Sequence, residues 1–252
     1  MLSIKHIQIL IIVCFAITFV YLIHKKKKEN FTQLCKIYFI NLDENIDRWN
    51  KLSHKNIIRF PAINGKKIDK SKLIKDNIIS SKNKLQLGQI GCALSHISVL
   101  KLIQNQDEPY GLILEDDVII PDNFSVNKLK LPNDFDLLFL GGCNIKGKKV
   151  APNLIKPTIF DGLYNLCWHA VLVNKNSVQK ILDLLTPLRR PIDSQIRDEY
   201  NKLNIFYHYP NLINQNKSLR SIRRDIDGLS QSKYWKTHHL NITIEDDNSS
   251  GI

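Results

Sequence analysis

Hydrophobic and polar positions change their spacing several times along this chain. Residues 7–23 read IQILIIVCFAITFVYLI, an apolar run that contains Gln8 and no charge. As a helix it would reach about 26 Å, just short of the roughly 30 Å hydrocarbon core of a bilayer. Lys5 precedes the run and Lys25 to Lys28 follow it. A cleaved leader carries its charge mainly before the apolar stretch and a small-x-small site after it, and this chain has neither. The run therefore predicts one uncleaved transmembrane helix. Four lysines behind it against one in front predict, by the positive-inside rule, that the following domain is cytoplasmic. The N-x-[ST] sequons at Asn30, Asn123, Asn216, Asn241 and Asn248 point to the opposite side.

Beyond a polar tether at 24–34, short apolar runs alternate with helical spacing. Lys36 to Asn41 is a compact β-type run, followed by a predicted helix through Ile46, Trp49 and Leu52. Ile57 to Phe60 is a short strand ending at Pro61. Residues 64–86 are polar and Lys-rich, and predict an exposed loop or short helices. Gly88 to Gln104 has helical spacing, with Ile90, Ala93, Leu94, Ile97, Leu100 and Leu102 as its apolar positions. Gly111 to Leu114 is a buried strand running into Glu115-Asp116-Asp117. Asp136 to Leu140 is another, ending at Gly141-Gly142, and Leu166 to Val173 is a third. Asn174 to Leu185 reads as a helix with Asn174 or Asn176 near its cap, and Pro191 opens a helix reaching Leu203. Past Asp225 the text turns polar, acidic and Ser-rich, and a poorly ordered tail is expected. Strands alternating with helices predict an α/β domain with a mostly parallel central sheet. The organisation is 1–34 anchor and tether, 35–224 folded domain, 225–252 tail.

Composition narrows this picture. The chain has 252 residues, 43% hydrophobic and 24% charged, which excludes a disordered chain, a collagen-like repeat and a polytopic membrane protein. Its five cysteines are scattered and never form C-x-x-C, so neither a disulfide scaffold nor a structural zinc site is expected. The net charge is +12, but the lysines are dispersed and no nucleic-acid module appears, so nucleic acid is not an expected partner.

The densest chemistry lies in Glu115-Asp116-Asp117, three consecutive carboxylates after an apolar strand. Ligands of α/β sheets bind at the carboxyl ends of strands. On extended backbone Glu115 and Asp117 would share one side, where two oxygens can hold a hard divalent ion. A plain acidic turn is the competing reading. Gly88-Gln89-Ile90-Gly91-Cys92-Ala93-Leu94-Ser95-His96 opens a helix with two glycines, which allow close approach of a neighbour or a ligand. Ser95 and His96 could face a substrate, or could simply pack. Asn41 and Arg48 read equally as a turn residue and a surface cation.

Taken in order, Tyr38-Phe39-Ile40-Asn41-Leu42-Asp43 with Arg48, then Ala62-Ile63-Asn64-Gly65, then the string from Gly88 to His96, then Ile113-Leu114-Glu115-Asp116-Asp117-Val118, resemble glycosyltransferase family 25. That family includes lipooligosaccharide (lipopolysaccharide biosynthesis) and collagen hydroxylysine galactosyltransferases, with relatives in large DNA viruses. The resemblance runs from about Lys36 to about Arg224. Leu166 to Val173 and Pro191-Ile192-Asp193 match a later strand and a P-[IL]-D motif, with Cys167-Trp168-His169-Ala170 departing from the usual small and aromatic residues.

The resemblance implies a GT-A-type nucleotide-sugar-binding fold and inverting transfer of a hexose, galactose by default, from a UDP-sugar. The acceptor would be a hydroxyl of a glycan, a lipid-linked saccharide or a hydroxylysine. It implies Mn2+ or Mg2+ at Glu115, Asp116 and Asp117, and donor contacts at Asn41, Leu42, Arg48, Gly91, Ser95 and His96. A divalent ion suits a nucleoside diphosphate leaving group. Inversion in one displacement also needs a carboxylate outside the metal cluster to take the acceptor proton. Asp193, in the first turn of a predicted helix, is the candidate, with Glu199, Asp183 and Asp136 as rivals. The alternative function is a catalytically inactive, membrane-tethered basic protein that binds nucleic acid or anionic lipid.

Overall fold

The computed structural model describes residues 34–52, 56–158, 164–216 and 243–245. The apolar run at 7–23 and most of the tail lie outside the described residues, and no described helix is long and apolar enough to cross a membrane. In chain order the elements are β1 (Cys35–Asn41), α1 (Ile46–Asn50), β2 (Ile57–Pro61), α2 (Lys70–Lys75), α3 (Leu87–Gln104), β3 (Tyr110–Glu115), β4 (Val118–Ile119) and β5 (Leu137–Cys143). They continue with β6 (Lys146–Ala151), β7 (Leu154–Pro157), β8 (Leu166–Asn174), α4 (Val178–Leu185), α5 (Ile192–Asp198), β9 (Ile205–His208), β10 (Asn214–Gln215) and β11 (Thr243–Glu245).

Nine strands form one sheet in the order β11-β6-β7-β9-β5-β8-β3-β1-β2, while β4 and β10 pair separately. β2, β1 and β3 are parallel neighbours, as are β5 and β9. β8 runs against both β3 and β5, and β7 runs against β6 and β9. Seven strands thus share a direction and two oppose it. The sequence shows the apolar run that makes β8 a strand, but nothing in that run records its direction.

The run Leu112-Ile113-Leu114 is apolar throughout because β3 is covered on both faces. Ile113 joins a cluster with Ile40, Phe139 and Val171 that packs on α3, α4 and α5 through Ile90, Leu100, Ile181 and Ile196. Leu112 and Leu114 point the other way, into a cluster with Phe39, Phe135, Leu138, Leu140 and Ile213. Two expectations about exposure fail. Leu102, counted in the apolar stripe of α3, is 44% exposed. Within the polar stretch 64–86, Ile79 and Leu85 are buried, and Ile79 bridges to Leu188.

Four further expectations change. β5 does not stop at Gly141-Gly142 but runs on to Cys143. There Cys143 and Cys167 form a disulfide that ties β5 to β8, so the cysteines are not all separate as their spacing suggested. The helix at Pro191 ends at Asp198, followed by a 3-10 turn at Tyr200–Lys202. Thr243–Glu245, inside the expected tail, pairs with Lys146–Lys148 of β6 as a parallel strand.

α3 is held by close backbone contact. The Gln89 side chain accepts a 3.0 Å hydrogen bond from the Gln86 N–H and caps its start. A Cβ on Gly91 would lie 2.5 Å from the Ile63 carbonyl oxygen, and one on Gly65 would lie 2.5 Å from that of Leu87. The two glycines, far apart in sequence, are the reason the loop at 63–65 can lie on the first turns of α3. We expect Gly91→Ala to destabilise the domain by about 1–2 kcal/mol in a denaturant melt, since an overpacking cost of about 1–3 kcal/mol exceeds the gain in helix propensity of up to about 1 kcal/mol. A stability equal to or above the native value would show that the loop simply shifts.

Candidate active site

β1 and β3 are parallel, so their carboxyl ends lie side by side, and each ends in a polar residue: Asn41 and Glu115. Asp116 and Asp117 follow in a turn before β4. Strand alternation therefore stops at Glu115, and the turn, not the pleat, directs the next two carboxylates. Each of the three takes a different partner.

Asp116 faces β1 and α1. The fully buried Asn41 donates from Nδ2 to Asp116 Oδ2 at 2.9 Å and to the Asn45 carbonyl at 3.0 Å. Arg48 Nη1 lies 2.7 Å from Asp116 Oδ1. Burial still pushes the Asp116 carboxyl above its ordinary value, against the pull of Arg48 and Asn41. Arg59 completes the group: its Nε donates to Asn41 Oδ1 at 2.9 Å and its guanidinium pairs with Asp43 at 2.5 Å. Leu42 follows directly, and its carbonyl accepts from the Asn45 N–H at 2.9 Å.

Glu115 faces α3 and β8. Its Oε1 lies 3.0 Å from His96 Nε2 and 3.7 Å from Cys92 Sγ. The antiparallel register that pairs Leu114 with Ala170 brings Glu115 opposite His169. Burial pushes Glu115 up, but the His96 hydrogen bond and the two imidazoles outweigh it, and its carboxyl sits below the ordinary range. Burial holds His169 low. Its Nε2 lies 3.2 Å from the Ile213 carbonyl.

Asp117 is the least compensated. Its Oδ2 accepts from Gln215 Nε2 at 2.7 Å and its carbonyl from the Asn216 N–H at 2.5 Å, while Oδ1 is buried with no hydrogen-bond partner among the described residues. Burial first, then the nearby Glu115 charge, push its pKa up to about 7. A buried, unpartnered carboxylate oxygen beside a second carboxylate lacks positive charge, and a hard divalent ion supplies it. The residues present therefore fit a metal, which Asp117 would be the first to bind.

The string from Gly88 to His96 divides. Gly91 is spent on packing. Ser95 is buried, donating to the Gly91 carbonyl at 2.7 Å and accepting from the Ile63 N–H at 2.8 Å. These two residues hold the loop at 63–65. His96 is turned toward the carboxylates.

Asp193 lies in the first turn of α5 and lines a small pocket with Asn165, Trp168, Arg197 and Tyr207. Its Oδ1 accepts from the Ser194 N–H at 2.7 Å and its Oδ2 from the Cys167 N–H at 3.4 Å. Among the described residues no hydrogen bond joins it to the acidic turn. Trp168 stands between, edge-on to His96 at 5.5 Å. Its rivals are engaged elsewhere. Asp136 accepts from Ser177, Lys180 and the Asn204 N–H. Glu199 pairs with Arg189 and Lys202, and Asp183 accepts from Gln179.

Sequence reading missed Arg59, Cys92, His169 and Gln215. Cys92 had a signal, because it stands four residues before His96 on one helix face. The others reach the site from remote strands, and local spacing carries no trace of that.

A family model described as glycosyltransferase family 25 (LPS biosynthesis protein) matches residues 34–156. Procollagen galactosyltransferase 2 of Mus musculus is 27% identical over 193 residues, covering 66% of this chain and 30% of its own length. A glycosyltransferase 25 family member of Drosophila melanogaster is 24% identical over 144 residues, covering 49% of this chain and 24% of its own. The chain thus spans less than a third of these relatives. The crystal structure of the glycosyltransferase GlyE of Streptococcus pneumoniae superposes over 83% of this chain and 57% of its own, with 12% identity and a TM-score of 0.38. Residues from Asn41 to Asp117 lie inside the matched segment and Asp193 lies beyond it.

A carboxyl raised by folding binds its proton more tightly in the folded state than in the unfolded one. Its contribution to stability is complete at low pH and is lost as pH rises through about 7. Without divalent metal, Asp117→Asn should therefore stabilise the protein more at pH 8 than at pH 5, measured as the difference in Tm from the native chain. A difference independent of pH would show that Asp117 is ionised at ordinary values.

Proposed function

We propose that the chain is a glycosyltransferase of family 25, whose model matches residues 34–156, and that it transfers a hexose, galactose first, from a UDP-sugar to a hydroxyl acceptor with inversion. The observation that carries this reading is the acidic turn at the carboxyl end of β3, with the buried, unpartnered Oδ1 of Asp117. Procollagen galactosyltransferase is the printed name of the relative quoted above. It supports galactose as the sugar and a procollagen-like protein as one acceptor; a hydroxylysine there, a glycan and a lipid-linked saccharide are the acceptors proposed.

Asp117 would hold Mn2+ or Mg2+, with Glu115 as a direct or water-mediated partner. Bound there, the ion would neutralise charge developing on the departing diphosphate. The remaining work belongs to side chains. Arg48 and Asn41 hold Asp116 in place. Arg59 holds Asn41 in turn, so the end of β1, where the base and ribose would lie with Leu42, is rigid before any ligand arrives. His96 fixes Glu115.

Asp193 would accept the proton of the attacking hydroxyl. It faces a pocket across Trp168 from the acidic turn, and its hydrogen bonds come from backbone N–H groups and a neighbouring serine. None of those partners is a cation, so among the described residues no salt bridge covers the carboxylate.

A panel of sugar nucleotides with manganese, read by released nucleoside diphosphate, tests the reading. Asp193→Asn should lower kcat by about 10²–10⁴-fold with donor affinity near the native value. A kcat within about threefold, under 1 kcal/mol of barrier, would remove Asp193 as the base. No release from any donor would favour the inactive, membrane-tethered binder of anionic lipid.

Residues 7–23 are proposed as the single-pass anchor. The lysines at 25–28 favour a cytoplasmic domain, whereas the Cys143–Cys167 disulfide is of a kind that persists in oxidising compartments. Asn123 of the sequon Asn123-Phe124-Ser125 is exposed, so it reports the side. A cytoplasmic domain gains no glycosidase-sensitive mass there when expressed in a eukaryotic host, and added mass would overturn that orientation.

A further inference from the structure

α3 brings a second set of metal-binding atoms to the edge of the acidic turn. Cys92 and His96 stand four residues apart on one helix face, and both meet Glu115 at the end of β3. One ligand atom from each of the three lies within 4.8 Å of the other two. The sulfur–oxygen separation matches a tetrahedral site, and the nitrogen–oxygen separation is about 0.4 Å shorter than one requires. Zinc bonds of about 2.0–2.1 Å to nitrogen and oxygen and about 2.3 Å to sulfur require about 3.4 Å between nitrogen and oxygen, and about 3.6 Å between sulfur and oxygen. The observed values are 3.0 Å for His96 Nε2 to Glu115 Oε1 and 3.7 Å for Cys92 Sγ to Glu115 Oε1.

The donor set is unlike that of Asp117. A thiolate and an imidazole select a soft or borderline ion, whereas carboxylates alone select manganese or magnesium. His96 is fully buried and its ring is held by Trp168, so one ligand is already oriented. Cys92 is exposed, so an ion can enter from solvent and keep a water in the fourth position.

We propose that Cys92, His96 and Glu115 form a binding site for a thiophilic divalent cation, Zn2+ in the first instance, separate from the manganese position at Asp117 but sharing Glu115 with its surroundings. Occupancy by zinc binds the Glu115 oxygen nearest α3 and withdraws it from the donor metal. Zinc is then an inhibitor of transfer that competes for a shared carboxylate. The cation site itself does not depend on the proposed transfer reaction; only the inhibitory consequence rests on that reading.

Cobalt replaces zinc in such sites and reports its own ligands. Titration of the purified full-length chain with Co2+ should produce sulfur-to-cobalt charge-transfer absorption in the near ultraviolet that saturates at about one equivalent and is displaced by Zn2+. The band should vanish in Cys92→Ser and persist in Asp117→Asn. Zn2+ should also slow alkylation of Cys92 in the native chain, followed by peptide mass, which needs no variant. In the manganese-dependent assay, Cys92→Ser should raise the half-inhibiting zinc concentration, read against the variant's own zinc-free rate, by more than about tenfold, the lower end of what loss of even an outer-shell partner costs. A band that survives Cys92→Ser, or alkylation unaffected by zinc, would overturn the site. If the band behaves as expected but no donor is turned over, the cation site stands and the transfer reading fails.

Discussion

The parallel register of β1 on β3 sets Ile40 beside Glu115, and with it the whole acidic turn beside Asn41. Three carboxylates at the end of a doubly buried strand repel one another, and their desolvation is costly. They remain there because neighbouring elements each take one of them. α1 supplies Arg48 to Asp116, α3 supplies His96 to Glu115, and β10 supplies Gln215 to Asp117. Two of these partners can carry positive charge and the third cannot. Burial raises Asp116 as well, but Asp117 carries the large rise and, among the described residues, the unpartnered oxygen, and the charge deficit that invites a cation falls on that residue.

The position of α3 is as consequential as the strand register. It lies against the loop at 63–65 because Gly65 and Gly91 allow backbone to touch backbone, and Ser95 then bonds across the same contact. That seating points the next part of the helix, Cys92 and His96, at Glu115. A motif that looks like a ligand-binding loop is thus mainly a spacer: its glycines set the distance at which its histidine and cysteine work.

β8 links the acidic turn to the proposed base. Running against β3, it brings His169 opposite Glu115 and Trp168 between His96 and the Asp193 pocket. The disulfide at Cys167 and the Cys167 N–H on Asp193 anchor the start of that strand. The departure from the usual small residues at Cys167-Trp168-His169 is therefore built into the wall that separates the two carboxylate sites.

Local pattern alone determined much of this molecule. The apolar runs ending at Asn41 and Glu115, the helical spacing from Gly88 to Gln104, and the three consecutive acids are legible because burial on a strand or helix imposes a period on neighbouring residues. The motif order also carries the resemblance to glycosyltransferase family 25, whose model matches residues 34–156. Tertiary structure decided the rest. The direction of β8, the bonding of Cys143 to Cys167 and the arrival of Arg59, His169 and Gln215 depend on contacts between distant segments, which leave no periodic trace. The division of labour among the acids was equally hidden. Glu115, Asp116 and Asp117 are adjacent in the chain, but a turn sends each to a different neighbour, and only those neighbours determine which carboxylate stays charged, which is pinned and which lacks a counter-ion.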